Sequence, residues 1–110
     1  MTSINKVCVI GLGYIGLPTA AIAAQQGLQV YGVDVNPKVV DTINKGEIHI
    51  IEQGLQALVK EGLEKGYLQA SLTPTLADVY LIVVPTPFKG NHEPDISFVE
   101  AATLAVVPFL

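Results

Sequence analysis

The sequence holds a single cysteine, Cys8. That excludes a disulfide framework and a zinc site built on cysteines. Basic residues are scarce too: six Lys and Arg stand against ten Asp and Glu, for a formal charge of −4. Those six are scattered, so no nucleic-acid partner is expected. Charged residues are only 15% of the chain and hydrophobic ones 50%, which excludes intrinsic disorder. No apolar run approaches the roughly 20 residues of a membrane span. The run Val7-Cys8-Val9-Ile10 superficially resembles the start of a signal peptide, but Gly11 and Gly13 interrupt it too early. A cytoplasmic protein with no membrane partner is therefore expected. Internal repeats and low-complexity linkers are absent as well. Cys8 sits inside a strand-like run and reads as a small buried apolar residue.

What remains is enough for one domain with one modest core. Ile4 to Ile10 is predicted as a strand without polar alternation, the pattern of a parallel strand covered on both faces. Leu17 to Gln26 is predicted as a helix ending at Gly27. Its alanines permit close packing on a sheet, and Pro18 falls near the start, where a missing N–H costs least. Gln29 to Val33 is a second strand, followed by Asp34. Pro37 to Lys45 and Leu55 to Lys65 are predicted helices, with Gly46 and Gly66 at their ends. Leu68 to Thr73 is a short strand and Tyr80 to Val84 a buried one. Pro85-Thr86-Pro87 must then leave the sheet. Ile96 to Leu110 is helical, with Pro108 expected to kink or stop it.

Strands alternating with helices imply an α/β fold of Rossmann type, a parallel sheet with helices on both faces. Right-handed crossovers give the strand order 3-2-1-4. The chain stops before the strands that normally complete such a sheet, so it reads as truncated. An open edge is expected beside Tyr80 to Val84. Incomplete cover is expected over Ala101, Leu104, Val107 and Leu110, with self-association as the consequence.

Gly11-Leu12-Gly13-Tyr14-Ile15-Gly16 is a G-x-G-x-x-G segment. It follows a buried strand, opens a helix, and precedes a second strand that ends in an acid. Asp34 follows Gly16 at close to the roughly 20-residue interval of dinucleotide-binding folds. Gly11 permits the tight turn, Gly13 lets a pyrophosphate approach the backbone, and Gly16 lets the helix pack against the strand. The N–H groups of Tyr14 and Ile15 face the phosphates at the positive end of the helix dipole. Asp34 accepts from the adenosine ribose hydroxyls and repels a 2′-phosphate, which favours NAD over NADP. Lys38 reads as a solvated charge. Thr86, after the fourth strand, flanks the switch point where ligands bind and offers its hydroxyl to the cofactor. The loop Gly46 to Glu52 is apolar, yet it holds Glu47, His49 and Glu52 and could border a cleft. His49, Glu52, His92 and Glu93 fit no metal-ligand spacing, and no metal site is expected.

Three segments together resemble the UDP-glucose/GDP-mannose dehydrogenase family: Gly11 to Pro18, Gly32 to Asn36, and Val84-Pro85-Thr86-Pro87. Within it, Asp41 to Ile50 and Pro85 to Asp95 most resemble the branch acting on UDP-N-acetyl-D-mannosamine. UDP-glucose enzymes usually carry Ser-Pro-Ile where this chain has Ile48-His49-Ile50. Gln53 departs from the proline common after the family's Glu.

The resemblance implies oxidation of a sugar C6 alcohol to a carboxylate with two NAD⁺, through a cysteine-bound intermediate, as a step toward surface polysaccharide. It also implies a UDP-sugar substrate for the full-length enzyme, and a homo-oligomer is expected. Cofactor contacts are implied at Tyr14, Ile15, Asp34 and Thr86. The family's cysteine and lysine lie beyond residue 110, and Cys8 does not match them. Residues 1–110 are thus expected to be the N-terminal NAD-binding part of the enzyme, without catalytic residues and inactive alone. The alternatives are a UDP-glucose or GDP-mannose 6-dehydrogenase, another NAD-dependent dehydrogenase with a similar opening, and a non-enzymatic NAD-sensing domain.

Overall fold

The computed structural model describes residues 5–84, 88–89, 93–94 and 96–110. Its elements in chain order are β1 (Lys6–Ile10), α1 (Gly16–Gln25), β2 (Gln29–Val33), α2 (Pro37–Asn44), α3 (Leu55–Glu64), β3 (Leu68–Ser71), β4 (Val79–Ile82), β5 (Phe88–Lys89), β6 (Glu93–Pro94) and α4 (Ser97–Val106). A 3-10 turn, Val107–Phe109, which contains Pro108, follows α4. Strands β1 to β4 form one parallel sheet in the order β3-β2-β1-β4, as the alternation of elements predicts.

The pleat of β1 divides the core in two. Val7 and Val9 point to one face, where Leu17, Ala20, Ala21 and Ala24 of α1 cover them. Val40 and Ile43 of α2 and Leu55 and Val59 of α3 belong to the same cluster. Cys8 and Ile10 point to the other face, against Ala102 and Val106 of α4. Cys8 is wholly buried as expected, and burial pushes its thiol pKa up. Local chemistry fixes the helix starts. Pro18 lies in the first turn of α1, where its missing N–H has no helical acceptor to lose. Asn36 caps α2: its Oδ1 accepts from the Lys38 N–H at 3.0 Å, and Pro37 fills the first helical position.

Three features depart from the sequence reading. First, the predicted buried strand Tyr80 to Val84 is β4, which starts one residue earlier and ends two earlier, with Leu81 and Ile82 each more than a third exposed. The Val83 N–H still donates to the Ile10 carbonyl at 2.7 Å. This strand is an edge of the four-stranded sheet and has a parallel neighbour on one side only, so apolar composition does not mean full burial there. Second, the strand predicted over Leu68 to Thr73 is β3 and ends at Ser71. Residues 72–78 cross the second face as a loop, with Ala77 and Tyr80 packed on the Cys8 cluster. The Tyr80 hydroxyl fastens that loop, donating to the Thr75 carbonyl at 2.7 Å and accepting from the Ala77 N–H at 3.0 Å. Third, β5 and β6 form a separate antiparallel hairpin, too short to leave an alternating pattern. As expected, Ala101, Leu104, Val107 and Leu110 are all exposed.

Both ends of the sheet are tied by side chains to backbone. At the edge of β3, Asn44 acts as a one-residue strand. Its Nδ2 donates to the Ala70 carbonyl and its Oδ1 accepts from the Ala70 N–H, both at 3.0 Å. Both main-chain groups of Ala70 are thus satisfied where another strand would otherwise pair. Between the starts of β1 and β4, one carboxylate oxygen of Asp78 accepts the N–H groups of Asn5 and Lys6, each at 2.9 Å. Those two donors hold the Asp78 carboxyl below the ordinary carboxylate range.

Two outcomes follow. Asn44→Ala should cost about 1 kcal/mol in urea unfolding and speed hydrogen exchange at the Ala70 amide; unchanged exchange there would contradict the assigned bonds. Because the folded-state pKa of Asp78 is lowered, its contribution is complete above about pH 4 and lost as pH falls through that lowered value. Asp78→Asn should therefore flatten the acid limb of the stability–pH curve. An acid limb identical to the parent's would remove Asp78 from this role.

Candidate functional site

The carboxyl ends of β1, β2 and β4 open onto a cleft of about 590 Å³. That is within the roughly 300–1,000 Å³ of small-molecule sites. Its floor is the turn from β1 to α1. Gly11 leaves β1 at φ +102°, a left-handed conformation that favours glycine, and its N–H donates to the Val33 carbonyl at 2.7 Å. The chain then doubles back so tightly that a Cβ on Gly16 would lie 1.7 Å from the Gly11 carbonyl oxygen. A Cβ on Gly11 would lie 2.4 Å from the Val83 oxygen. Gly13 is different: a Cβ built there meets nothing within 4 Å. The protein has no steric need for glycine at 13, whereas a ligand approaching the backbone there would.

Tyr14 and Ile15 follow on the exposed rim, both lining the cleft. Their main-chain N–H groups find no acceptor among the described residues and lie at the N-terminal end of α1. Asp34 stands across from them at the end of β2, half-buried. Its Oδ2 accepts the Leu12 N–H at 3.1 Å and its Oδ1 accepts the Asn36 N–H at 3.0 Å. Each oxygen keeps acceptor capacity for a further donor, so two neighbouring hydroxyls could be received together. Gly11, Gly13, Tyr14, Ile15, Gly16 and Asp34 are therefore gathered at one place. Thr86 lies outside the described residues, as do Pro85 and Pro87; the chain reaches the cleft rim at Val83 and Val84. His49 and Glu52 are exposed in the loop before α3, not on the cleft, and His92 lies outside the described residues.

The remaining wall is apolar: Val35 after Asp34, Leu72 and Pro74 from the loop after β3, and Phe98, Ala101 and Ala105 of α4. The sequence reading missed these residues. No motif marks them, because they come from segments far apart in the chain that meet only through the sheet order. A slot with apolar sides, a carboxylate at one edge and unpaired N–H groups on its floor suits a ligand with a flat apolar ring, vicinal hydroxyls and phosphates. Among the described residues no helix is long and apolar enough to cross a membrane.

Residues 5–110 match the UDP-glucose/GDP-mannose dehydrogenase family, NAD binding domain. The chain is 57% identical over 98% of its length to the UDP-N-acetyl-D-mannosamine dehydrogenase of Escherichia coli, covering 26% of that protein. It is 52% identical over 96% of its length to the NDP-N-acetyl-D-galactosaminuronic acid dehydrogenase of Ralstonia nicotianae, covering 25% of it. Among solved structures, the UDP-N-acetyl-mannosamine dehydrogenase of Staphylococcus aureus superposes with a TM-score of 0.94 at 44% identity, over 96% of this chain and 26% of that one. The chain thus spans about a quarter of the length of the relatives it matches.

Gly16→Ala should prevent the native turn, since its methyl would meet backbone and not a movable side chain. No cooperative thermal transition, or one displaced by many degrees, is expected by circular dichroism. A variant melting with the parent would show that the turn has room. The turn, the acid at the end of β2 and the sheet order agree with the sequence comparisons: this chain belongs to the UDP-glucose/GDP-mannose dehydrogenase family, and residues 5–110 match the model of its NAD-binding domain.

Proposed function

We propose that residues 1–110 are the cofactor-recognition part of a nucleotide-sugar 6-dehydrogenase that oxidises UDP-N-acetyl-D-mannosamine to the corresponding uronate with two NAD⁺. The observation that carries the binding role is the open space at Gly13 between two unpaired N–H groups and the Asp34 carboxylate. The E. coli and S. aureus relatives, both UDP-N-acetylmannosamine dehydrogenases by name, support the sugar.

In this reading Tyr14 and Ile15 donate their main-chain N–H groups to the pyrophosphate, aided by the dipole of α1. Gly13 admits the phosphates to contact distance, and Gly11 and Gly16 keep the turn in shape. Asp34 receives the two hydroxyls of the adenosine ribose, and its charge opposes a 2′-phosphate. Thr86 offers its hydroxyl toward the nicotinamide side. Bound NAD supplies a hydride acceptor. Residues 1–110 supply binding and orientation, and the groups that act on the sugar are assigned to the rest of the enzyme.

Asp34→Ala should weaken NAD by about tenfold to a hundredfold, the scale of lost hydrogen bonds to a charged acceptor, and narrow its advantage over NADP. Isothermal titration with both cofactors decides it; unchanged affinity and an unchanged NAD/NADP ratio would remove Asp34 from the site. Residues 1–110 mixed with NAD and UDP-N-acetyl-D-mannosamine should produce no absorbance at 340 nm. Sustained NADH formation would overturn the division of labour.

A further inference from the structure

The glycines that shape the phosphate turn also leave it little to hold on to. Between Gly11 and Gly13 there is one side chain, that of Leu12, and it points away from the cleft rim into the core. Leu12 is 1% exposed and belongs to the cluster shared by β1, β2 and α1. It rests on a specific spot. A Cβ added to Gly32, in the middle of β2, would lie 2.8 Å from one Leu12 methyl, 3.0 Å from the other and 3.4 Å from Cγ. The isobutyl group therefore sits in the notch that the missing side chain of Gly32 leaves. Gly32 has no positive φ, so conformation does not require glycine there.

Three successive residues, the last two of β2 and the one after it, grip the turn. Gly32 receives the Leu12 side chain, the Val33 carbonyl accepts the Gly11 N–H at 2.7 Å, and Asp34 Oδ2 accepts the Leu12 N–H at 3.1 Å. The last contact joins the phosphate floor to the carboxylate that would read the ribose.

We propose that Leu12 and Gly32 form a key and notch that sets the position of the phosphate turn relative to Asp34, making both positioning residues for the dinucleotide. This rests on the reading of the cleft as an NAD site. The notch cannot fill without consequence, because Leu12 is enclosed and a methyl at 32 would force its isobutyl group to shift, by rotamer or by moving the turn. A methyl at 32 lifts the key; a shorter residue at 12 loosens it; the two changes together restore the fit.

The test is a double-mutant cycle on the chain, read by titration with NAD, ADP-ribose and adenosine, with melting temperature measured alongside. Gly32→Ala should weaken NAD and ADP-ribose by about tenfold, the scale on which contacting residues couple, and Leu12→Val should weaken them severalfold. In the double variant affinity should return to within about threefold of the parent. Adenosine, which does not reach the phosphate floor, should change little throughout. If Gly32→Ala does not fold, Leu12→Val decides alone: loss confined to the pyrophosphate ligands supports the proposal, and affinities unchanged from the parent, or lowered equally for all three ligands, overturn it. Losses that simply add in the double variant, or melting temperatures that fall while NAD affinity stays at the parent's, also overturn it. Absence of NAD binding by the parent chain would instead overturn the reading of the cleft, and this proposal with it.

Discussion

The Cα of Gly16 rests on the carbonyl oxygen of Gly11, so close that a Cβ would come within 1.7 Å of it. Everything at the candidate site depends on that approach. It turns the chain from strand to helix in five residues and places the first turn of α1 beside the end of β1. The N-terminal amides of the helix then face outward at the point where the sheet ends. The same compression brings Leu12 over Gly32 and within hydrogen-bond reach of Asp34, so two separate strands share one rigid corner. A looser turn would still make a strand and a helix, but not a floor for phosphates.

The sheet supplies what the turn alone lacks. Its order, β3-β2-β1-β4, sets β2 and β4 on either side of β1. The carboxyl ends of all three therefore meet at one opening. Asp34 enters from one flank, Val83 and Val84 from the other, and α4 closes the far wall with Phe98, Ala101 and Ala105. No buried side-chain nitrogen or oxygen among the described residues lacks a partner. The amides of Tyr14 and Ile15, exposed at the start of α1 and without an acceptor among the described residues, remain free for a ligand.

Much of this was legible in the sequence because it is local. The unbroken apolar run Val7 to Ile10, the glycine spacing, and the acid at the end of Gln29 to Val33 each follow from rules acting over a few residues. So do the helix start at Pro37 and the end of α4 just before Pro108. What was not legible is non-local. The apolar run of β4 reads as buried, and only the predicted strand order, with its open edge there, accounts for the exposure of Leu81 and Ile82. Asn44 looks like any residue at a helix end until the fold lays it along Ala70. Leu72 and Pro74 line a cleft only because their loop crosses the sheet without a helix. Gly32 was legible only as part of the family-like segment Gly32 to Asn36; its contact with Leu12, twenty positions earlier, was not.

The central claim is that the glycine turn is shaped for a ligand and not only for itself. Gly13 separates the two, because a methyl there touches no protein atom within 4 Å. Gly13→Ala should unfold in urea at the parent's midpoint while its NAD affinity falls by at least about tenfold, as a methyl displaces the pyrophosphate from the backbone. The same midpoint with undiminished NAD affinity would contradict the account.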